Sequence, residues 1–407
     1  MPIRLTIDDD LQRSRLTVFF RLLLAIPHLV WLSLWGSLTI LVAIASWIAT
    51  LISGRSPDMF HSFIGSYLRY STHVLAYLFL AANPFPGFTG RPGYPVDLVI
   101  EPPRPQNRWV TGFRIVLALP ALVLAAFVLG GGGGSYQGAQ TGAGATAAFL
   151  GWFVCLARAR MPAGFRNLIA YGLAYSAQAG GYLLLLTDRY PNADPAQHLP
   201  SESEPPHPVR LTVDDDLRRS RLTTFFRLLL AVPHFVWLLL WGIVVFVVVI
   251  ANWFATLFAG RSPASLHRFI ARYSRYAAHV YAFVLLIANP FPGFTGRPGS
   301  YPVDVHFEPP ERQNRWLTGF RLFVALPALL LAGALATVLY VVALFSWFVV
   351  LSRGRVPLQL RNLGAYCLRY STQANAYVML LHDRYPYTGP AVPLAPGPAV
   401  AEPDHAA

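Results

Sequence analysis

The sequence predicts an all-α integral membrane protein with about eight transmembrane helices. Hydrophobic residues make up 55% of the 407 residues and charged residues only 13%, and the mean hydropathy is +0.44. Several apolar runs exceed the roughly 20 residues that an α-helix needs to cross a bilayer core. These runs recur in an internal repeat, which predicts one structural unit used several times.

The chain consists of two similar halves. Residues 4–99 match residues 210–306 in register until Ser300 adds one residue. The match predicts membrane halves at 1–191 and 209–387. Between them lies a linker rich in Pro, Ser and Glu, 192–208, and a Pro/Ala-rich tail, 388–407, is predicted to be disordered.

A weaker repeat divides each half again into helix-pair quarters. The predicted quarters are 1–93, 94–191, 209–300 and 301–387. Every quarter has an arginine in its first apolar run, at Arg21, Arg114, Arg227 and Arg321. Every quarter also has an arginine in the turn between its two helices, at Arg55, Arg160, Arg261 and Arg355. Each quarter is therefore predicted to contain a strand, a long helix, a turn and a second helix.

The strand segments alternate apolar and polar residues, as in Ile3–Ile7 and Val96–Ile100. This period of two is typical of a half-buried strand. Because an isolated strand is marginally stable, the four strands are expected to pair on one side of the membrane.

The first helix of each quarter is too long for a bilayer. In the first quarter, Arg21 and Arg55 are 34 residues apart, about 51 Å along a helix, against a hydrocarbon core of about 30 Å. A proline after the arginine is predicted to bend the helix, at Pro27, Pro120, Pro233 and Pro327. His28 and His234 follow two of these prolines, and we expect each to bond a carbonyl that the proline frees. The glycine-rich insertion at 130–145 interrupts the second quarter and raises twelve crossings as an alternative to eight.

The second helices have a polar position at the predicted bilayer midplane, occupied by His73, Gln178, His279 and Gln373. Polar side chains at that depth are expected to face the interior of the helix bundle. The favoured interpretation is hydrogen bonding between helices. A polar route for an ion or small solute is the alternative, and a bis-histidine haem site between His73 and His279 is a weaker one.

The net charge of +13 comes from arginine, since the chain contains no lysine. The arginines flank apolar segments, which favours anchoring at anionic lipid head groups over nucleic-acid binding. The repeated first-run and turn arginines are therefore interpreted as interfacial anchors. More arginines lie on the strand side than in the turns, which predicts cytoplasmic termini in a bacterial plasma membrane.

Motifs of enzymes are missing. The sequence contains no GxSxG, HExxH or phosphate-binding loop, and Cys155 and Cys367 show no paired spacing. We therefore expect no enzyme activity, no cofactor and no metal site.

The order of motifs in each half resembles the bacterial membrane family DUF4389, a domain of unknown function. The motifs are FRLLLAIPH with Arg21, Pro27 and His28; GRSP with Gly54, Arg55 and Pro57; and LRYSTHV with Arg69 and Tyr70. The resemblance covers about 2–191 and 208–386, as two tandem copies. The second and fourth quarters depart from it, because alanine replaces histidine after the proline. The resemblance implies a multi-pass membrane fold and leaves the activity open.

Two functions follow from these observations. The preferred one is a non-catalytic membrane scaffold or accessory subunit of a membrane complex, with lipids and other membrane subunits as partners. The alternative is a transporter or channel lined by the four midplane His and Gln side chains.

Overall fold

The computed structural model describes residues 1–130, 142–198 and 206–390. The contacts divide the chain into two units, one formed mainly by Met1–Ser203 and the other mainly by Glu204–Ala332 and Val342–Tyr387. Most of the glycine-rich insertion and most of the tail lie outside the described residues.

The first unit is a helical layer with a small sheet. Its elements are β1 (Ile3–Ile7), α1 (Arg15–Ser53), α2 (Asp58–Leu78), β2 (Val96–Ile100), α3 (Arg108–Gly112), α4 (Arg114–Leu129), α5 (Ala143–Arg158) and α6 (Ala163–Leu183). A 3-10 turn, Pro195–Gln197, lies within the predicted linker and is capped by Asp194.

The second unit repeats this plan. Its elements are β3 (Val209–Val213), α7 (Arg221–Phe225), α8 (Arg227–Ala259), α9 (Ala264–Val284), β4 (Val303–Phe307), α10 (Arg315–Gly319), α11 (Arg321–Arg353) and α12 (Leu358–Val378).

The strands pair as two antiparallel two-stranded sheets rather than as one sheet of four. Ile3 lies opposite Ile100 in one sheet, and Val209 lies opposite Phe307 in the other. The inner face of the first sheet packs on α2 and α6, where Ile3 and Leu98 join Ile64, Leu68 and Ala177 in one buried cluster. The sheets therefore cover the second helices.

Three helices of the described residues are long and apolar enough to cross a membrane, namely α1, α8 and α11. The prediction of eight crossings is not confirmed. The second helices are 21 residues long, and their polar faces contact the sheets. In the second quarter the apolar run is divided into α4 and α5.

The helices are not interrupted at the prolines, where a bend was predicted. Pro27 lies inside α1, which continues from Arg15 to Ser53. In the other three quarters the helix is interrupted at a phenylalanine directly before the repeated arginine, at Phe113, Phe226 and Phe320. Pro120, Pro233 and Pro327 lie inside α4, α8 and α11.

Candidate functional site

The repeated arginine of the first helix caps the end of the second helix. Arg21 is only 2% exposed, and its Nη1 donates to the carbonyl oxygens of Tyr77 at 2.6 Å and Ala82 at 3.1 Å. Its guanidinium lies 4.3 Å from the centroid of the Tyr77 ring. The last carbonyls of a helix have no partner within the helix and carry the negative end of its dipole. A buried arginine donates hydrogen bonds to these carbonyls, and its positive charge interacts favourably with the dipole.

The other three quarters repeat this contact. Arg114 bonds Tyr182 and Thr187, Arg227 bonds Phe283 and Ala288, and Arg321 bonds Tyr377 and His382, each through backbone carbonyl oxygens. The interpretation of these four arginines as lipid anchors was wrong. Each side chain is at most 2% exposed, because the helix end that needs a cation lies inside the protein.

A second side chain completes each cap, and it is absent from the residues predicted from the sequence. In the first quarter, Arg13 bonds the carbonyls of Leu80 and Ala81 and is held by Asp9 at 2.8 Å. In the second quarter, Gln106 donates to the carbonyl of Leu185 and accepts from Arg114. In the second unit, Arg219 bonds the carbonyl of Ile287 and Gln313 donates to the carbonyl of Leu380. Alignment of the quarters places these four polar residues in one column, and that column was the available signal.

The cap holds a turn in an unfavourable backbone conformation. The second helices end with a leucine at positive φ, at Leu80, Leu185, Leu286 and Leu380. A left-handed residue after a helix is usually glycine, since a side chain there costs free energy. The carbonyls of all four leucines accept directly from a cap side chain, namely Arg13, Gln106, Arg219 and Gln313 in chain order. The capping side chains thus offset the cost of the turn.

The turn arginines are exposed. Arg55 forms an ion pair with Asp58 at 2.9 Å, and Arg160, Arg261 and Arg355 also lie at the surface. An interfacial role for these four stays a prediction.

His28 contacts a side chain rather than a freed carbonyl. Its Nδ1 lies 2.7 Å from the hydroxyl of Tyr70, and its ring packs 4.4 Å from the rings of Phe85 and Phe88. His234 makes the same contacts with Tyr276, Phe291 and Phe294. The expectation of a backbone partner for both histidines was therefore wrong.

His73 belongs to a partly buried polar cluster that joins α2 to strand β2. Its Nε2 donates to Asp97 of β2 at 2.9 Å, and Arg69 lies 3.3 Å from the same carboxylate oxygen. Gly93 and Leu98 donate their backbone N–H groups to Asp97. Asp97 is the centre of this cluster, and no pattern in the sequence identified it.

The second unit has the matching cluster of Arg275, His279 and Asp304. Burial raises the pKa of Asp304, but hydrogen bonds from His279, Gly299 and Val305, together with the charge of Arg275, outweigh burial and lower that pKa below its ordinary value. The carboxylate is therefore stabilised in its charged form.

The two glutamines tie the second helices to the other strands. Gln178 donates to the carbonyl of Ile3 in β1, and Gln373 donates to the carbonyl of Val209 in β3. All four predicted midplane residues thus bond a strand or its carboxylate. We expected these side chains to bond neighbouring helices. They bond strands instead, because a sheet covers the polar face of each second helix.

Two clefts lie at the edge of the first unit. The larger has a volume of about 290 Å³ and includes Glu101, Arg104, Asp188 and Arg189 in its lining. The smaller, of about 180 Å³, is lined in part by Gln178. His73 lines neither cleft. Within residues 1–130, 142–198 and 206–390, no three His, Cys, Asp or Glu side chains are grouped to hold a metal ion.

Comparison with known proteins identifies one family. The model of the domain of unknown function DUF4389 matches residues 15–89, 221–295 and 315–388, which together exceed half of the chain. Each match covers one quarter, so the family unit is a quarter rather than a half, and three copies are matched instead of two. No curated protein and no solved structure matches the chain.

Proposed function

We propose that this chain, which belongs to the DUF4389 family, is a non-catalytic membrane scaffold or accessory subunit of a membrane complex. The carrying observation is the use of its repeated polar side chains. The first-run arginines, the cap partners and the four His and Gln residues are buried in bonds within the chain. Side chains engaged in this way support a role in architecture more than a role in chemistry or transport.

The proposed partners are anionic lipids and other membrane subunits. The exposed turn arginines lie at the ends of apolar helices, where cations favour anionic head groups. A bacterial plasma membrane with cytoplasmic termini is the proposed location, since arginine is more frequent in the segments around the strands.

Native purification and reconstitution test this function. Mass spectrometry of the purified protein is expected to find the same membrane subunits and anionic lipids in repeated preparations. Proteoliposomes containing the chain should be no more permeable to K⁺, Cl⁻ or H⁺ than empty liposomes, as followed with a potential-sensitive dye. A flux that His73→Gln abolishes and Arg4→Gln leaves intact would contradict the scaffold and favour the transporter.

A further inference from the structure

We propose that the first helix of each unit, α1 or α8, lies within a single lipid leaflet, parallel to the membrane plane, with both of its ends on the same side. This inference rests on the proposed membrane location and concerns how the chain enters the bilayer. It is argued from the first unit, and the second unit repeats the contacts that carry it.

Helix α1 lies along the whole length of α2. At one end, Arg21 bonds the carbonyl of Tyr77, and at the other end the Ser46 and Ser56 hydroxyls are 2.9 Å apart. Between them, His28 bonds Tyr70. The two helices are antiparallel, so their inclination to a membrane is nearly the same.

The opposite face of α2 carries backbone that cannot enter lipid. Strand β2 runs beside the middle of α2, where Arg69 bonds the carbonyl of Leu98. The irregular segment around Gly90 lies against the same stretch, close enough that a Cβ on Gly90 would come within 2.3 Å of the Ser66 oxygen. Residues 87–89 and 91–93 of this segment are exposed, and so is Arg4 on the outer face of the sheet.

A crossing orientation would place this backbone in the hydrocarbon core. Helix α2 has 21 residues and a length of about 31 Å, so its middle would lie near the bilayer centre if it crossed. A two-stranded sheet has two open edges, and lipid-exposed open edges and loops do not occur within the hydrocarbon region. The layer of α2 and sheet therefore lies outside the core, and α1 follows its direction.

The length of α1 agrees with this orientation. Its 39 residues extend about 58 Å, so to fit a core of about 30 Å it would have to tilt by roughly 60°. Transmembrane helices tilt by about 0–40°. A helix of about 10–12 Å diameter that lies flat fits within a leaflet core of about 15 Å.

The surface of α1 matches a lipid environment on three sides. One narrow stripe of the helix faces the protein, and the rest exposes large apolar side chains, such as Leu34 at 62% and Ile44 at 53%. Arg15 and Arg55 are exposed at the two ends, where both can reach head groups of the same leaflet. Helix α8 presents the same kind of surface, including Leu239 and Val247.

The sidedness of α1 is measured with single cysteines. In a C155A/C367A background, Ser14→Cys and Asp58→Cys mark the two ends of α1, and Thr6→Cys marks the outer face of the sheet. An impermeant maleimide is applied to spheroplasts and to inverted vesicles. All three positions should react in the same preparation, at least tenfold more than in the other. Reaction of Ser14→Cys and Asp58→Cys from opposite sides would overturn the inference.

A depth measurement provides the second test. Spin labels at Leu23→Cys and Leu41→Cys, both exposed, are separated by 18 residues, which is five whole turns and about 27 Å along α1, so they lie on the same side of the helix. In liposomes both should be accessible to oxygen and lie at equal depth, whereas a crossing helix would place them at clearly different depths. Carbonate extraction is the check on the premise. If carbonate releases the protein, the membrane location itself fails, and if the protein stays bound, the labelling decides the orientation.

Discussion

The first and second quarters of the chain solve the same packing problem with different side chains. Both end the second helix with a leucine at positive φ, and both cap it with a buried arginine, Arg21 or Arg114. In the first quarter the additional group is Arg13, with its own carboxylate partner. In the second quarter it is the neutral Gln106, which also accepts a bond from Arg114. The comparison shows that the arginine is the fixed part of the cap and that its companion can change.

The largest expected loss of stability comes from removing the cap arginine, and it should be larger in the second quarter than in the first. Arg114→Met should lower the free energy of unfolding by about 4 kcal/mol, because it strips the cap from buried carbonyls and removes a bond from Gln106. Arg21→Met should cost about 3 kcal/mol, since Arg13 still bonds the same turn. Denaturant unfolding in detergent, followed by circular dichroism, measures both. The control Arg104→Met replaces an exposed arginine and should cost under about 0.5 kcal/mol. Equal losses for Arg21 and Arg114 would show that the companion groups are equivalent.

The two contacts that attach strands to the second helices are also expected to differ in strength, with the contact made by Asp97 stronger than the one made by Gln178. Asp97→Ala should cost about 3 kcal/mol, because Arg69 and His73 lose their carboxylate and two backbone N–H groups lose their acceptor. Gln178→Ala should cost about 1 kcal/mol, because it removes neutral hydrogen bonds. Hydrogen exchange of the β1 and β2 amides locates the loss. Faster exchange in Gln178→Ala than in Asp97→Ala would contradict this order.

In the fourth quarter, the residue whose carbonyl accepts from the repeated arginine is a histidine, and it gives a pH-dependent prediction. Arg321 bonds the carbonyl of His382, and burial, with the nearby charges of His207 and Arg321, lowers the pKa of His382 to about 3. Above pH 6.5 the histidine is neutral in both states. Below it the unfolded chain binds a proton that the folded chain excludes, so stability is lost as the pH falls from about 6.5 towards 3.

His382→Thr introduces the residue that the second quarter has at this position, Thr187. Relative to its value at pH 7.5, the stability of the variant at pH 5 should exceed that of the natural chain by about 2 kcal/mol. Urea unfolding at both pH values measures the difference. The same gain in His306→Thr, which replaces an exposed histidine, would show that burial is not the cause.

The smallest expected loss of stability tests whether the first two quarters contact each other through equivalent tryptophan bonds. Trp47 of the first quarter donates to the carbonyl of Thr111 in the second, and Trp152 of the second donates to Val18 in the first. Trp47→Phe and Trp152→Phe should each cost about 1 kcal/mol. Thermal unfolding in detergent compares them, and a difference above about 1 kcal/mol would mean that the exchange between quarters is not symmetric.

Much of the architecture could be predicted from the sequence because it depends on local patterns. Alternation of two located the strand Ile3–Ile7, and apolar runs located the first helices. The number of crossings could not be predicted in this way. The polar positions of α2 suit a helix bundle in lipid as well as a helix under a sheet, and the difference depends on the segment that covers them.

The candidate site was harder to predict, because its partners are distant in the chain. Arg21 contacts carbonyls 56 and 61 residues away, and His73 contacts a carboxylate 24 residues away. An arginine beside an apolar run has the same appearance whether it reaches a lipid head group or a helix end.

The sequence by itself determined that the chain is rich in membrane-compatible helices, that it repeats one unit four times, and that an arginine and a proline recur in each unit. These properties follow from composition, period and alignment. The tertiary structure decided what each repeated side chain does, because hydrogen bonding to a buried carbonyl requires two distant segments to meet. It also supplied the geometry of α1, α2 and the sheet, from which the orientation of the helices in the membrane is inferred.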